Sequence, residues 1–413
     1  MKKFLIIELI IICLLLALNI QNLENTLLLL IIDLSLIYFF YKKIIINRKL
    51  VIFISLSIIY FSLFYFEYIF HINKQNAWAF LSTMNSLGLD SERDVSKYII
   101  LSLIFRNVLC LGLIVFQNNK PYIEVVSPNS LLSAALIFIP LSYFSPPAIC
   151  IIALRIIIIA IFIELTNIIN SKIKSSFFLL FMILPIIIYF SSLVTRSRLE
   201  LTVILIYICL LISSNIKKKY LPFLGIFFII LGIFSTNLYG YLRTDGAVIE
   251  GLHNSKFLIE GEVGNINILG STLIGSYDRK ILPYSLNTSL LDKINTLLPG
   301  FSNKKILADI FMSEMLPNIT EGGFAYSLIA ELYILNGVIC ILIFGFILGI
   351  VLSKISIDNS LGFTVFTIIC LQLFRQEFAI TLLTLVAYIL IKFFIYSLNQ
   401  IQFNKSTKSK VIH

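Results

Sequence analysis

The sequence predicts an all-α, polytopic membrane protein of about twelve transmembrane helices with one large external loop, and three observations lead there. The 413-residue chain is 59% hydrophobic and only 13% charged, with a mean hydropathy of +0.97, whereas soluble domains are close to half apolar and a quarter charged. Apolar runs approaching the roughly 20 residues that a membrane helix needs recur along nearly the whole chain. A single long stretch, residues 240–324, is hydrophilic.

The first run, MKKFLIIELIIICLLLALNI, places two lysines before an apolar core as a signal peptide does. The sequence "ALN" offers no small-x-small cleavage site, so the run reads as an uncleaved first helix over 4–20. Further spans are expected over 26–41, 50–70, 98–116, 130–144, 147–168, 176–194, 199–214, 221–239, 325–352, 361–374 and 378–398. The tightest breaks are Ser145–Pro147, where paired prolines stop a helix, and Arg375–Glu377, where three polar residues interrupt the hydrocarbon. No internal repeat is visible. Spans one to nine thus fill residues 1–239, the loop 240–324, three more spans 325–398, and a tail 399–413.

A net charge of +10 would suit a polyanion, but in a membrane protein an excess of Lys and Arg reports topology first, and no nucleic-acid partner is expected. With the N-terminus in the cytoplasm, 16 of the 32 basic residues fall in cytoplasmic segments, among them Lys42, Lys43, Lys217, Lys218, Lys219 and Lys354. Both termini are then inside. Fifteen of those sixteen are lysine. Of the nine arginines, eight are intramembrane (Arg106, Arg155) or external (Arg93, Arg196, Arg198, Arg243, Arg279, Arg375). Lysine marks sidedness, while arginine has been placed elsewhere. A guanidinium fork binds phosphate and carboxylate bidentately and stays charged, so the pattern points to an anionic ligand on the external side. Snorkelling or pairing with nearby acids is the plainer account of any single arginine.

The six cysteines all lie inside apolar runs and suggest neither a disulfide framework nor a metal cluster. No GxxxxGK[ST], GxGxxG or HExxH is present, so no nucleotide, nicotinamide or metal cofactor is expected. The loop is too short for an ordinary enzyme domain, and a segment of that length is usually functional. Within it, residues 303–316 (NKKILADIFMSEML) set Ile306, Ile310 and Met315 at helical spacing, which suits a short interfacial helix. His253, its one histidine, reads as a solvated or capping residue. Past the loop, Glu321 lies at the membrane edge and Glu331 about two turns inside the tenth span, near Tyr333 and Asn336. A carboxylate in a span is expensive and is read as a functional residue or as half of an ion pair. Arg375 and Glu377 sit at the same external face.

Three stretches, "TRSRLELTVILIYI", "YGYLRTDG" and "GGFAYSLIAELYILNGVICILIFGFILG", resemble the Wzy-type O-antigen polymerases, which polymerise the oligosaccharide repeat units of bacterial surface polysaccharide. The resemblance implies a GT-C-like fold in the inner membrane, with the large loop in the periplasm. It implies transfer of a growing glycan from undecaprenyl diphosphate to a new lipid-linked repeat unit, with no cofactor. Arg198 and Arg243, followed by Arg196, Arg279 and Arg375, would hold the diphosphate, and Glu331 and Glu321 would act as base or orient those arginines. Membrane lipid, a chain-length regulator and a flippase are the expected partners. The alternatives are a flippase for lipid-linked oligosaccharide, an O-antigen ligase, or a metal-dependent polyprenyl glycosyltransferase that uses Glu92 and Asp94 of "SERD".

Reporter fusions test the sidedness. Fusions at residues 217 and 354 are expected to read as cytoplasmic and one at residue 285 as periplasmic; a cytoplasmic signal at 285 would put the arginines on the wrong side.

Overall fold

The computed structural model describes residues 2–17, 21–71, 89–116, 128–144, 147–173, 198–215, 262–283, 307–315, 327–376 and 378–410. Among them every regular element is a helix. Six of these helices are long and apolar enough to cross a membrane, and Asn129–Leu141, Thr202–Leu211 and Ser360–Arg375 are shorter apolar helices. The chain is a multi-pass membrane protein. Ten of the expected spans coincide with described helices; 176–194 and 221–239 lie outside the described residues.

Two compact units are formed. The first comprises Met1–Asn119, Val248–Ile355 and Cys370–Ala379. It contains α1 (Lys2–Ala17), α2 (Leu23–Ile46), α3 (Arg48–Ser57), α4 (Phe64–His71) and α5 (Ser91–Val115). Helix α5 is its axis, with 83% of its apolar window buried. It starts seven residues earlier than its apolar run suggests, and the polar sequence before that run explains why. The Asp90 carboxylate accepts the Arg93 N–H at 3.1 Å as an N-cap, and Glu92 and Asp94 place negative charge at the positive end of the helix dipole. "SERD" is therefore a helix start.

Between α3 and α4 the chain makes a π-helical turn, Ile58–Leu63. This turn presents Tyr60 and Phe61, which with Phe53 surround Phe374 at ring-centroid distances of 5.2–5.3 Å. It also leaves the Tyr60 carbonyl available to accept from Asn267 Nδ2 at 2.8 Å. Asn267 lies on a helix the sequence did not announce, α9 (Glu262–Asp278), inside the stretch read as an external loop. Its sequence is rich in Gly, Asn and Ser, yet Ile266, Ile268, Leu269, Leu273 and Ile274 are fully buried and the helix packs against α5. Gly270 is what permits the approach, since a Cβ there would collide with the Tyr98 ring. The expected helix over 303–316 is present as α10 (Leu307–Met315), burying Phe311 and Met315 four residues apart.

Helix α11 (Leu328–Lys354) makes the most extensive contact with α5. Gly345 and Gly349, four residues apart, form the small-xxx-small pattern by which membrane helices approach closely. A Cβ on Gly349 would strike the Leu109 carbonyl, and one on Gly112 would lie 2.7 Å from the Phe346 carbonyl. The far end of α11 is finished by Lys49, whose Nζ donates to the carbonyls of Ser353 (2.7 Å) and Leu352 (3.3 Å). A cation there meets the negative end of the helix dipole.

The second unit comprises Lys120–Ala247, Ser356–Ile369 and Ile380–His413. Helices α6 (Pro128–Phe144) and α7 (Pro147–Ile173) pack together across the proline break. Helix α8 (Arg198–Asn215) lies against α7, where the Tyr207 hydroxyl donates to Asn167 Oδ1. The same tyrosine meets Phe363 of α12 (Ser360–Arg375) edge-on at 5.1 Å. Phe394 of α13 (Phe378–Lys410) meets Phe138 of α6 at 5.4 Å. Residues 399–410, expected as a tail, continue α13 as helix.

Gly349→Ala is expected to force α5 and α11 apart at the cost of overpacking, about 1–3 kcal/mol. A lower thermal midpoint of the detergent-purified protein than wild type checks it.

Candidate functional site

The residues that carry chemistry gather at the end of the first unit where α5 and α11 begin and α9 ends. Three elements position them. Helix α9 closes with a Schellman turn, in which the Lys280 N–H reaches the Tyr277 carbonyl (3.0 Å) and the Ile281 N–H the Ser276 carbonyl (3.0 Å). Lys280 takes the left-handed conformation this requires, with φ of 59°. The turn orients Asp278 and Arg279 toward α5 and α11. Helix α11 is capped by Ser327, which accepts the Ala330 N–H at 3.4 Å and is hydrogen-bonded through the same hydroxyl to Tyr98 of α5 at 2.8 Å.

Two ion pairs result. Arg279 Nη1 donates to Asp94 Oδ2 at 2.8 Å and to the Gly275 carbonyl at 3.1 Å. Asp94 is 3% exposed and Arg279 30% exposed, so a buried carboxylate anchors a cation that reaches the surface. Lys97 Nζ lies 2.5 Å from Asp278 Oδ2 and 4.7 Å above the Tyr333 ring, and the Tyr333 hydroxyl donates to Asp278 Oδ1 at 3.0 Å. Lysine and tyrosine thus share one carboxylate. The guanidinium of Arg279 is held by Nη1 alone, and Nε and Nη2 make no hydrogen bond to the described residues. A fork fixed on one side and open on the other suits an incoming oxyanion.

Glu331 is 1% exposed. Its Oε2 accepts the Phe378 N–H at 2.8 Å, so the carboxylate holds the first residue of α13 and places negative charge at that helix N-terminus. Glu331 thus holds the start of α13, and Arg375, half-buried, ends α12 where a cation meets the helix dipole favourably. Five residues past Glu331, α11 is broken: Asn336 (φ −162°, ψ 43°) and Gly337 (φ 61°, ψ −151°) are not helical, and Asn336 is exposed. Gly337 alone tolerates that positive φ without strain.

Of the residues singled out by sequence, Arg279, Arg375 and Glu331 belong to the first unit, and Tyr333, beside Lys97, connects the Glu331 helix to Asp278. Arg198 is the first described residue of α8, in the second unit. Arg196, Arg243 and Glu321 lie outside the described residues. Sequence reasoning missed Lys97 and Asp278, and saw Asp94 only as part of a metal motif. Asp94 and Arg279 are 185 residues apart, so no local spacing announces the pair.

No family model, curated protein or solved structure matches the chain.

Arg279→Ala strands Asp94 and is expected to cost roughly 2 kcal/mol, between the values for exposed and buried pairs. Adding Asp94→Asn should restore most of that loss, and a double-mutant cycle on unfolding of the purified protein measures it.

Proposed function

We propose that the protein is a polymerase of lipid-linked oligosaccharide repeat units at the periplasmic face of a bacterial inner membrane, in the manner of the Wzy-type enzymes it resembles. The observation that carries this reading is the half-held, surface-reaching guanidinium of Arg279 beside Lys97. Each cation in this rim is paired with a carboxylate, and one side of the Arg279 fork is left open for an oxyanion. An open guanidinium fork at the surface is what a departing diphosphate requires.

In the proposed reaction a hydroxyl of the acceptor repeat unit attacks the anomeric carbon of the donor glycan. The bond from that carbon to the diphosphate oxygen breaks, and undecaprenyl diphosphate departs with the bonding electron pair. The hydroxyl proton passes to a base, for which Glu321 is the candidate at the membrane edge. Glu331 orients the rim through the Phe378 turn. Arginine forks neutralise the charge developing on the departing diphosphate, and Arg198, Arg243, Arg196, Arg279 and Arg375 are separate candidates for that role. The donor is already activated, so no nucleotide takes part.

The surface lipopolysaccharide ladder of a strain lacking the protein tests the assignment. Lipid A core carrying a single repeat unit is expected; bare core would indicate a ligase or a flippase and overturn it. Complementation with Arg198→Lys or Arg243→Lys should impair chain extension nearly as much as Ala does, because Lys keeps the charge but loses the fork. Losing one such contact in the transition state costs roughly 3 kcal/mol, about a hundredfold in rate. The ladder should therefore contract to one or two repeats at normal membrane levels.

A further inference from the structure

A second group of charges lies deep in the first unit, away from the rim. Arg106 of α5 is 2% exposed, Asp33 of α2 is 1% exposed and Glu8 of α1 is 4% exposed. The guanidinium forks onto Asp33, with Nη1 2.6 Å from Oδ2 and Nη2 on Oδ1. Nε and Nη2 also donate to Asn107 Oδ1 at 3.2 and 2.8 Å. One cation and one anion are thereby matched. Glu8 is in excess: its Oε1 is 3.6 Å from Arg106 Nη2 and makes no hydrogen bond. The amide Nδ2 of Asn107 is likewise buried with no acceptor. Glu8, Asp33, Arg106 and Asn107 all border a cavity of about 40 Å³, room for a water or two.

We propose that Glu8, Asp33 and Arg106 form an intramembrane proton site, in which Glu8 carries one exchangeable proton at neutral pH. Charge balance decides it. With both carboxylates ionised the site would hold a net charge of −1 in hydrocarbon, and a carboxylate so placed takes up a proton rather than stay charged. Among the described residues, the groups facing Glu8 supply no second cation. Asp33 comes from α2, Arg106 and Cys110 from α5, and α3 contributes only Leu50 and Ile54 to the wall. A metal ion is a poorer ligand than a proton, because it needs several oxygens and those of Asp33 are already engaged by the guanidinium. The cavity gives the proton a water to exchange with. On release the proton passes to that water, and the Glu8 carboxylate then competes with Asp33 for Arg106. The site thus has two arrangements, set by one proton.

Infrared spectroscopy of the full chain in liposomes at neutral pH tests this through the C=O stretch of a buried carboxylic acid. Wild type is expected to show such a band, shifted in D₂O and unchanged when sodium chloride is added. Glu8→Gln should lose it. Asp33→Asn should lose it as well, although Glu8 is untouched, because Arg106 then needs the Glu8 charge. Absence of the band from wild type, its persistence in either variant, or its disappearance on adding sodium would each overturn the proposal.

Discussion

Helix Ser91–Val115 carries Asp94 and Arg106 into the buried interior of the first unit, and these two and Lys97 find their counter-charges on other segments. Arg106 draws in Asp33 from α2 and Glu8 from α1; Asp94 draws in Arg279, and Lys97 draws in Asp278, both from the end of α9. Apolar contact would hold these helices in many rotations against one another, since lipid is as apolar as their side chains. Ion pairs and the Gly349–Leu109 approach select one. The unit is thus organised around a single helix whose polar residues specify their neighbours.

The same requirement explains how a hydrophilic-looking segment becomes part of the first unit. A π-helical turn leaves the Tyr60 carbonyl in need of a donor, and Asn267 provides one. Gly270 lets the helix settle on the Tyr98 ring. Once seated, α9 delivers Asp278 and Arg279 to the rim, with the Schellman turn at Lys280 fixing their direction. Side chains on loops depend on a rigid scaffold for their placement; here the stretch read as a loop supplies its own, by inserting a helix.

How far the sequence disclosed this depends on distance along the chain. Paired prolines at 146 and 147 and the polar run at 375–377 end helices through local chemistry, and the described helices end at Phe144 and Arg375 and begin again at Pro147 and Phe378. The capping start at Asp90 is equally local, though the acids around it also resembled a metal motif. Helix 262–278 was not legible, because its Gly, Asn and Ser residues look like a loop until Tyr60, 207 residues from Asn267, gives them a partner. Glu331 stood out as an expensive carboxylate, but its backbone partner at Phe378 could not be read from a pattern of side chains.

The break at Asn336 and Gly337 divides α11 into unequal parts with different attachments. The longer part is locked to α5 by Gly345 and Gly349 and tied off by Lys49. The shorter, residues 328–335, is joined to the rim through Ser327, Glu331 and Tyr333. Such a joint acts as a hinge: Asn336 and Gly337 can absorb a change of backbone angle on one side without disturbing the packing on the other. The shorter part can therefore change its angle while the longer part keeps its packing on α5.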